Sequence, residues 1–270
     1  MEGHNSFQFG VELEFLLGSR KKVHHNWKSL AKDLSKRLQK AGISNHVNDG
    51  NDKSWENYRE WSIVQEVTIP SQPAKNLWGI ELVSPVYPIY SYWAADLDTI
   101  FTALHKAFSL VPSPHCSTHV HVSGAPDPLS PADLAALAKS ALYHEPALDL
   151  LFPPARRAGQ YWCRSIRASE ALGGVAALGD CLAVVDRAAA AAAGGGGYAG
   201  VVEAVNLFPA ASPYGRAHGW KADAVRGKVY KWDFSRMVGA EEGAGAGAAT
   251  VEFRQPPGQI LQLIFTTSSQ

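Results

Sequence analysis

A chain of 270 residues fits one large domain or two small ones, on a usual span of about 100 to 200 residues per domain. Lys plus Arg and Asp plus Glu number 25 each, so the formal charge is zero; the basic footprint of a duplex-binding protein is missing and nucleic acid is not expected as a partner. With 46% hydrophobic and 19% charged residues, disorder of the whole chain is excluded. Cys116, Cys163 and Cys181 stand too far apart for a disulfide framework or a zinc knuckle, which points to a reducing, cytoplasmic setting. The first residues carry no basic stretch followed by an apolar one, so no signal peptide is read. The weakly polar run from Leu182 to Gly200 offers too little apolar area to span a membrane.

In chain order, Phe7 to Leu17 alternates as a strand would, and Leu30, Leu34 and Leu38 make Trp27 to Lys40 a helix capped by Gly42. Trp61 to Ile69 and Trp78 to Ser84 read as strands joined by a loop holding Pro70 and Pro73. Ala94 to Leu110 reads as a helix. Ser117 to Ser123 sets Thr118, Val120 and Val122 against His119 and His121, a strand with one polar face. Ser130, Pro131 and Asp133 announce another helix. Helix is expected from Gly173 to Ala193, ending in the flexible tract Gly194 to Gly197, so Gly/Ala-rich sequence fills the stretch near 188–200. A second such tract, Gly239 to Ala249, lies between the strand-like Lys228 to Phe234 and Thr250 to Arg254 and reads as an extended hairpin loop. Ile260 to Gln270 shows no clear pattern. The four polar-faced strands, Phe7 to Leu17, Trp78 to Ser84, Ser117 to Ser123 and Thr250 to Arg254, are expected in one largely antiparallel sheet with helices over its apolar face.

The chemistry concentrates on those strands. Glu12 and Glu14, two apart, leave the same face roughly 6 to 7 Å apart, and such an acidic face is stable when a hard divalent cation compensates it. A solvated edge strand is the bland alternative. Glu81 lies in the otherwise apolar WGIELVS, where an unpaired carboxylate is expensive. His119 and His121 repeat the two-residue spacing with imidazoles, able to bind metal or contact phosphate, or else ordinary hydrogen-bonded histidines; a zinc site with His115 and Cys116 is conceivable. Glu252 and Arg254 share one face, and their bland reading is a structural cross-strand ion pair. Gly195, Gly197 and Gly200 satisfy GxGxxG but follow no strand. No P-loop and no GxSxG elbow occurs. Cys163 reads as a buried inert thiol, and Arg164 and Arg167 as anion clamps or solvated charges.

In order, FGVELEF, GIELVSPV, STHVHVS, YWCR and VEFRQPPG resemble the amidoligase family, common in fungi, within the glutamine synthetase-like carboxylate-amine ligase superfamily. The resemblance implies a single α+β catalytic domain over residues 1–270, with a curved, largely antiparallel sheet whose inner face holds magnesium against ATP phosphates. It implies Glu12, Glu14, Glu81 and Glu252 as metal ligands, and His119, His121, Arg164 and Arg254 beside the nucleotide. Arg254 would steady the phosphate in transfer, with His121 or Glu66 as base. The implied reaction phosphorylates a carboxylate with ATP, and an amine then attacks the acyl phosphate. Departures occur: WSIVQEV stands where an acid follows the tryptophan, Asp233 where an amide is usual, and Pro256 to Gln259 where His and Gly-Thr are usual. The C-terminal helices that the resemblance implies would lie beyond Gln270. A chain truncated there and a degenerate enzyme are alternatives. Two other functions compete: a metal-dependent hydrolase, separated by ADP release that depends on carboxylate, and a non-catalytic descendant that binds nucleotide without product. Partners are small-molecule or peptide carboxylates and amines, with neither nucleic acid nor membrane among them.

Overall fold

The computed structural model describes residues 6–50, 52, 54–157, 161–191, 198–208, 216, 228–242 and 249–258. Strand pairing is mostly antiparallel, and five α-helices accompany the strands among the described residues. The chain divides into two compact units, Gln8–Val120 with Pro256–Gln270, and Met1–Phe7 with His121–Gln255.

The first unit is built on β1, Ser6–Ser19. It pairs antiparallel with β4 (Trp78–Val83), β5 (Tyr87–Pro88) and β6 (Phe108–Val111), while β3 (Trp61–Gln65) lies antiparallel beside β4 and carries the short parallel β2 (Asn45–Val47). Alternation along β1 sorts its residues. Val11, Leu13, Phe15 and Leu17 join the main core of this unit, whereas Leu16 packs with Ile69, Leu77 and Cys116 in a separate small cluster. Glu12 and Glu14 share the phase of Leu16.

Two helices close the main core. In α1 (Trp27–Lys40) the Asn26 side chain accepts the Ser29 N–H, and Leu30, Leu34 and Leu38 are buried. The helix ends on Gly42 at φ 91°, with the Ile43 N–H donating to Leu38 O (2.9 Å) and the Gly42 N–H to Gln39 O (3.0 Å). That is the Schellman arrangement the glycine foretold. The second helix, α2 (Trp93–Ala107), buries Leu97, Ile100, Phe101 and Leu104. It is shorter than its composition suggests, because Phe108 turns extended and Phe108 to Val111 pair with Leu16 to Ser19 as β6. The strand at Trp61 likewise ends at Gln65 rather than Ile69: the Thr68 N–H donates to Glu66 Oε1 (2.6 Å) and folds the chain into a turn. The division between the units falls inside β7, Thr118–Ala125.

In the second unit, α3 (Pro131–Leu151) starts with a capping box in which Ser130 and Asp133 satisfy each other's backbone N–H groups. Leu134, Ala138 and Leu142 pack with Cys181 and Val185 of α4 (Leu178–Ala191) and with Val201, Val202 and Val205 of α5 (Ala199–Asn206). Helix α4 begins later than the expected Gly173, since residues 170–174 form turns. Of the strand expected over Lys228 to Phe234 only β8, Trp232–Asp233, is regular; it pairs with β9, Val251–Phe253. The opening of the tract expected as an extended loop belongs to a 3₁₀ helix, Ser235–Glu242. Gly194 to Gly197, 243–248 and Ile260 to Gln270 lie outside the described residues. No helix among the described residues is long and apolar enough to cross a membrane.

Candidate active site

The register of β1 on β4 sets Glu14 directly across from Glu81, with Glu12 across from Val83. Opposed residues hold their Cβ atoms about 4.5–5.5 Å apart, so two carboxylates meet at the closest range a sheet permits. Glu66 joins them because the chain after β3 folds over Gly79: the Glu66 N–H donates to Gly79 O (3.2 Å). A Cβ at that glycine would lie 2.5 Å from Glu66 O and 2.8 Å from Ile69 O, so only glycine admits the close approach. One oxygen each of Glu14, Glu66 and Glu81 lie within 4.8 Å of one another, and so do single ligand atoms of Glu12, Glu81 and His119.

His119 anchors a hydrogen-bond chain. Its Nδ1 lies 3.0 Å from Glu12 Oε2, and its Nε2 lies 2.7 Å from Ser117 Oγ. Ser117 is 2.5 Å from Glu14 Oε2 through its hydroxyl and 2.7 Å through its backbone N–H. A hydroxyl has a single proton, so with Nδ1 donating to an ionised Glu12 two arrangements satisfy every atom. Either Ser117 donates to an ionised Glu14 and accepts from a doubly protonated His119, or Glu14 carries the proton and Ser117 donates to a neutral ring. Burial raises the Glu14 pKa, opposed by His119 and by the Ser117 hydroxyl. Glu81 is held well above the ordinary carboxylate range, first by burial and then by the charges of Glu12, Glu14 and Glu66. A surplus of carboxylate oxygens, with Glu12, Glu66 and Glu81 still partly open to solvent, is a donor set that could hold a hard divalent cation.

The other expected residues belong to the second unit. His121 Nδ1 is 3.1 Å from Thr250 Oγ1 and its Nε2 is 3.8 Å from Glu252 Oε1. Arg254 Nη1 donates to Glu252 Oε1, so the pair forms along the strand rather than across two strands. Asp233 stands opposite Glu252 and its pKa is raised, by burial above all. Arg164 lies with its guanidinium 5.1 Å from the centre of the Phe208 ring. Within the first unit the structure therefore gathers Glu12, Glu14, Glu66, Glu81 and His119; within the second it gathers His121, Glu252 and Arg254.

Neither His115, which is exposed, nor Cys116 joins any group of three ligand atoms this close among the described residues. Burial pushes the Cys116 thiol up to about 11, with Glu14 adding to it. Cys163 is fully buried, and burial raises its pKa too. Gly195 and Gly197 fall outside the described residues. Sequence reasoning passed over Ser117, although it sits two before His119 and shares its phase.

A family model described as "Putative amidoligase enzyme" matches residues 5–170, more than half of the 270 residues. The matched stretch includes Glu12, Glu14, Glu66, Glu81, His119, His121 and Arg164, and ends before Glu252 and Arg254. No curated protein and no solved structure matches the chain. The chain belongs to the amidoligase family, a family of amide-forming ligases.

Proposed function

We propose that the chain is an ATP- and magnesium-dependent carboxylate-amine ligase with a glutamine synthetase-like catalytic fold, joining a carboxylate to an amine through an acyl phosphate. The observation that carries the reading is the crowding of Glu14, Glu66 and Glu81 within 4.8 Å, with Glu12 and His119 beside them. Two unit charges at that separation repel by about 3.5 kcal/mol at an effective dielectric of about 20. A sheet face that keeps this repulsion when isosteric amides would remove it is suited to hold a cation.

Magnesium bound there would offset the negative charge that gathers between a carboxylate and the γ-phosphate of ATP. Glu12, Glu14 and Glu81 are the residues to hold it. Glu66, expected as a base, sits inside the carboxylate group and is better suited to complete the ligand set. The chain from Glu12 through His119 and Ser117 to Glu14 can hold one proton at His119 or at Glu14; in the form that lacks this proton it can take up the one released as an amine becomes an amide. Arg254 is assigned to the charge that develops on the transferred phosphoryl group, Glu252 fixing its guanidinium in position.

The test is ADP formation from magnesium ATP with panels of carboxylates and amines. Release that requires both supports the ligase. Release that ignores the carboxylate makes the chain a hydrolase, and a higher melting temperature with magnesium ATP but no product makes it a non-catalytic binder.

A further inference from the structure

Residues 20–40 hold eight of the chain's 25 Lys and Arg but one of its 25 Asp and Glu, Asp33. That acid is buried and already shared, 2.7 Å from Lys22 Nζ and 3.4 Å from Arg37 Nε. The cations of α1 are ordered along the helix. Lys28, Lys32, Lys36 and Lys40 recur every four residues and are all exposed, while Leu30, Leu34 and Leu38 are buried. Four residues advance an α-helix by about 6 Å and turn it about 40° beyond one full turn. The lysines therefore leave in one row about 18 Å long, on an arc about 120° wide opposite the buried leucines. Lys28 pairs with the exposed Asp49 (3.0 Å). Lys32, Lys36 and Lys40 make no hydrogen bond or ion pair among the described residues.

This row runs against the helix's own electrostatics. The first turn of α1 carries Lys28 and no acid, at the end where the helix dipole favours an anion. Each neighbouring pair of lysines, four apart, sets like charges side by side, where a glutamate at alternate places would turn repulsion into attraction. An anionic partner along the row compensates all of these charges at once.

We propose that this face of α1 docks an extended acidic polypeptide. Side chains on one side of an extended strand recur about every 6.6–6.8 Å, close to the rise between successive lysines. A run of Glu or Asp thus meets the row with about one carboxylate per lysine. The make-up of the face tells against other polyanions. Helix α1 exposes no aromatic side chain on which bases could stack and no apolar one to enter a lipid surface, Trp27 being half-buried against the core. As the carboxylate substrate of amide formation the peptide rests on the ligase reading; its docking does not.

The test is fluorescence anisotropy of a labelled peptide of about ten glutamates titrated with the purified chain in roughly 0.03 M salt, where exposed charges are weakly screened, without nucleotide or magnesium. The glutamate peptide should bind, its glutamine counterpart should bind about tenfold or more weakly, and roughly 0.3 M salt should remove most of the difference. An exposed ion pair is worth about 1.4- to fivefold in affinity, so Lys32→Gln with Lys36→Gln should weaken the glutamate peptide about fivefold. Lys139→Gln with Arg187→Gln, which removes two cations of the second unit, should leave binding unchanged. Melting temperatures confirm that each variant is folded. No binding of the glutamate peptide, equal binding of the glutamine peptide, or equal losses in the two double variants overturns the proposal. So does tighter binding of a single-stranded RNA of about ten uridines, or of phosphatidylserine vesicles, than of the glutamate peptide. The assay needs no turnover, so its failure leaves the ligase reading standing, and a chain without ligase activity leaves this surface standing.

Discussion

Replacing Glu81 by glutamine keeps the size of the side chain and deletes one charge from a group of oxygens within 4.8 Å. The full repulsion of about 3.5 kcal/mol per pair is reduced because Glu81 and its neighbours Glu12 and Glu66 keep some contact with solvent, and about 1–2 kcal/mol is the expected net effect. The sign follows from the raised pKa of Glu81. A carboxyl that binds its proton more tightly when folded stabilises the fold fully below its unfolded pKa, and that stability is lost as pH rises through the folded value. Metal-free wild type should weaken between acid and mildly alkaline pH for this reason, and Glu81→Gln should escape the loss. At about pH 8 in a chelator the variant should melt roughly 2–8 °C higher than wild type, with the gap closing as pH falls below about 4, where carboxyls become protonated in either state. Adding magnesium and ATP should stabilise wild type and leave the variant little changed. Melting curves over a pH series, in chelator and in magnesium ATP, measure both effects. A variant that melts lower in chelator at about pH 8, or a gap that ignores pH, would refute the idea that like-charge crowding dominates this face.

Ser117→Ala should cost about 1–3 kcal/mol in urea unfolding, because it strips Glu14 and His119 of a shared buried partner; Ser117→Thr, which keeps the hydroxyl, should recover most of it. For Arg254→Lys, magnesium ATP should bind nearly as in wild type while turnover falls about 10² to 10³-fold, whereas a purely structural pair with Glu252 predicts a lower melting temperature and intact turnover. Gly79→Ala should destabilise by about 1–3 kcal/mol and weaken divalent-ion binding by displacing Glu66, since its Cβ would collide with Glu66 O; calorimetry in manganese reads the second effect.

Period-two alternation made the acidic strands legible before any coordinates. It put Glu12 and Glu14 on one face and Leu13 and Phe15 on the other, and the structure keeps that sorting. What alternation lacks is register. That Glu14 faces Glu81 rather than its neighbour depends on hydrogen bonds between segments far apart in sequence, which no local pattern encodes. Local pattern puts Glu66 in a strand, because its part in a turn depends on the bond its side chain accepts from the Thr68 N–H. The helix from Ala94 was read too long for a similar reason. Residues Phe108 to Val111 are apolar enough for either state, and pairing with β1 decides it. Serine is common and polar in many roles, so only its distances to Glu14 and His119 make Ser117 part of the site.

The central claim, that the Glu12, Glu14, Glu66, Glu81 and His119 group holds a divalent cation for ATP, is tested most directly by titrating manganese against the protein with electron paramagnetic resonance, which reports the free aqueous ion. With ATP present, wild type should remove free manganese from solution beyond what ATP alone removes, magnesium should release it, and Glu12→Ala and Glu81→Gln should largely abolish the uptake. Equal uptake by wild type and both folded variants, or none by wild type, would contradict the account.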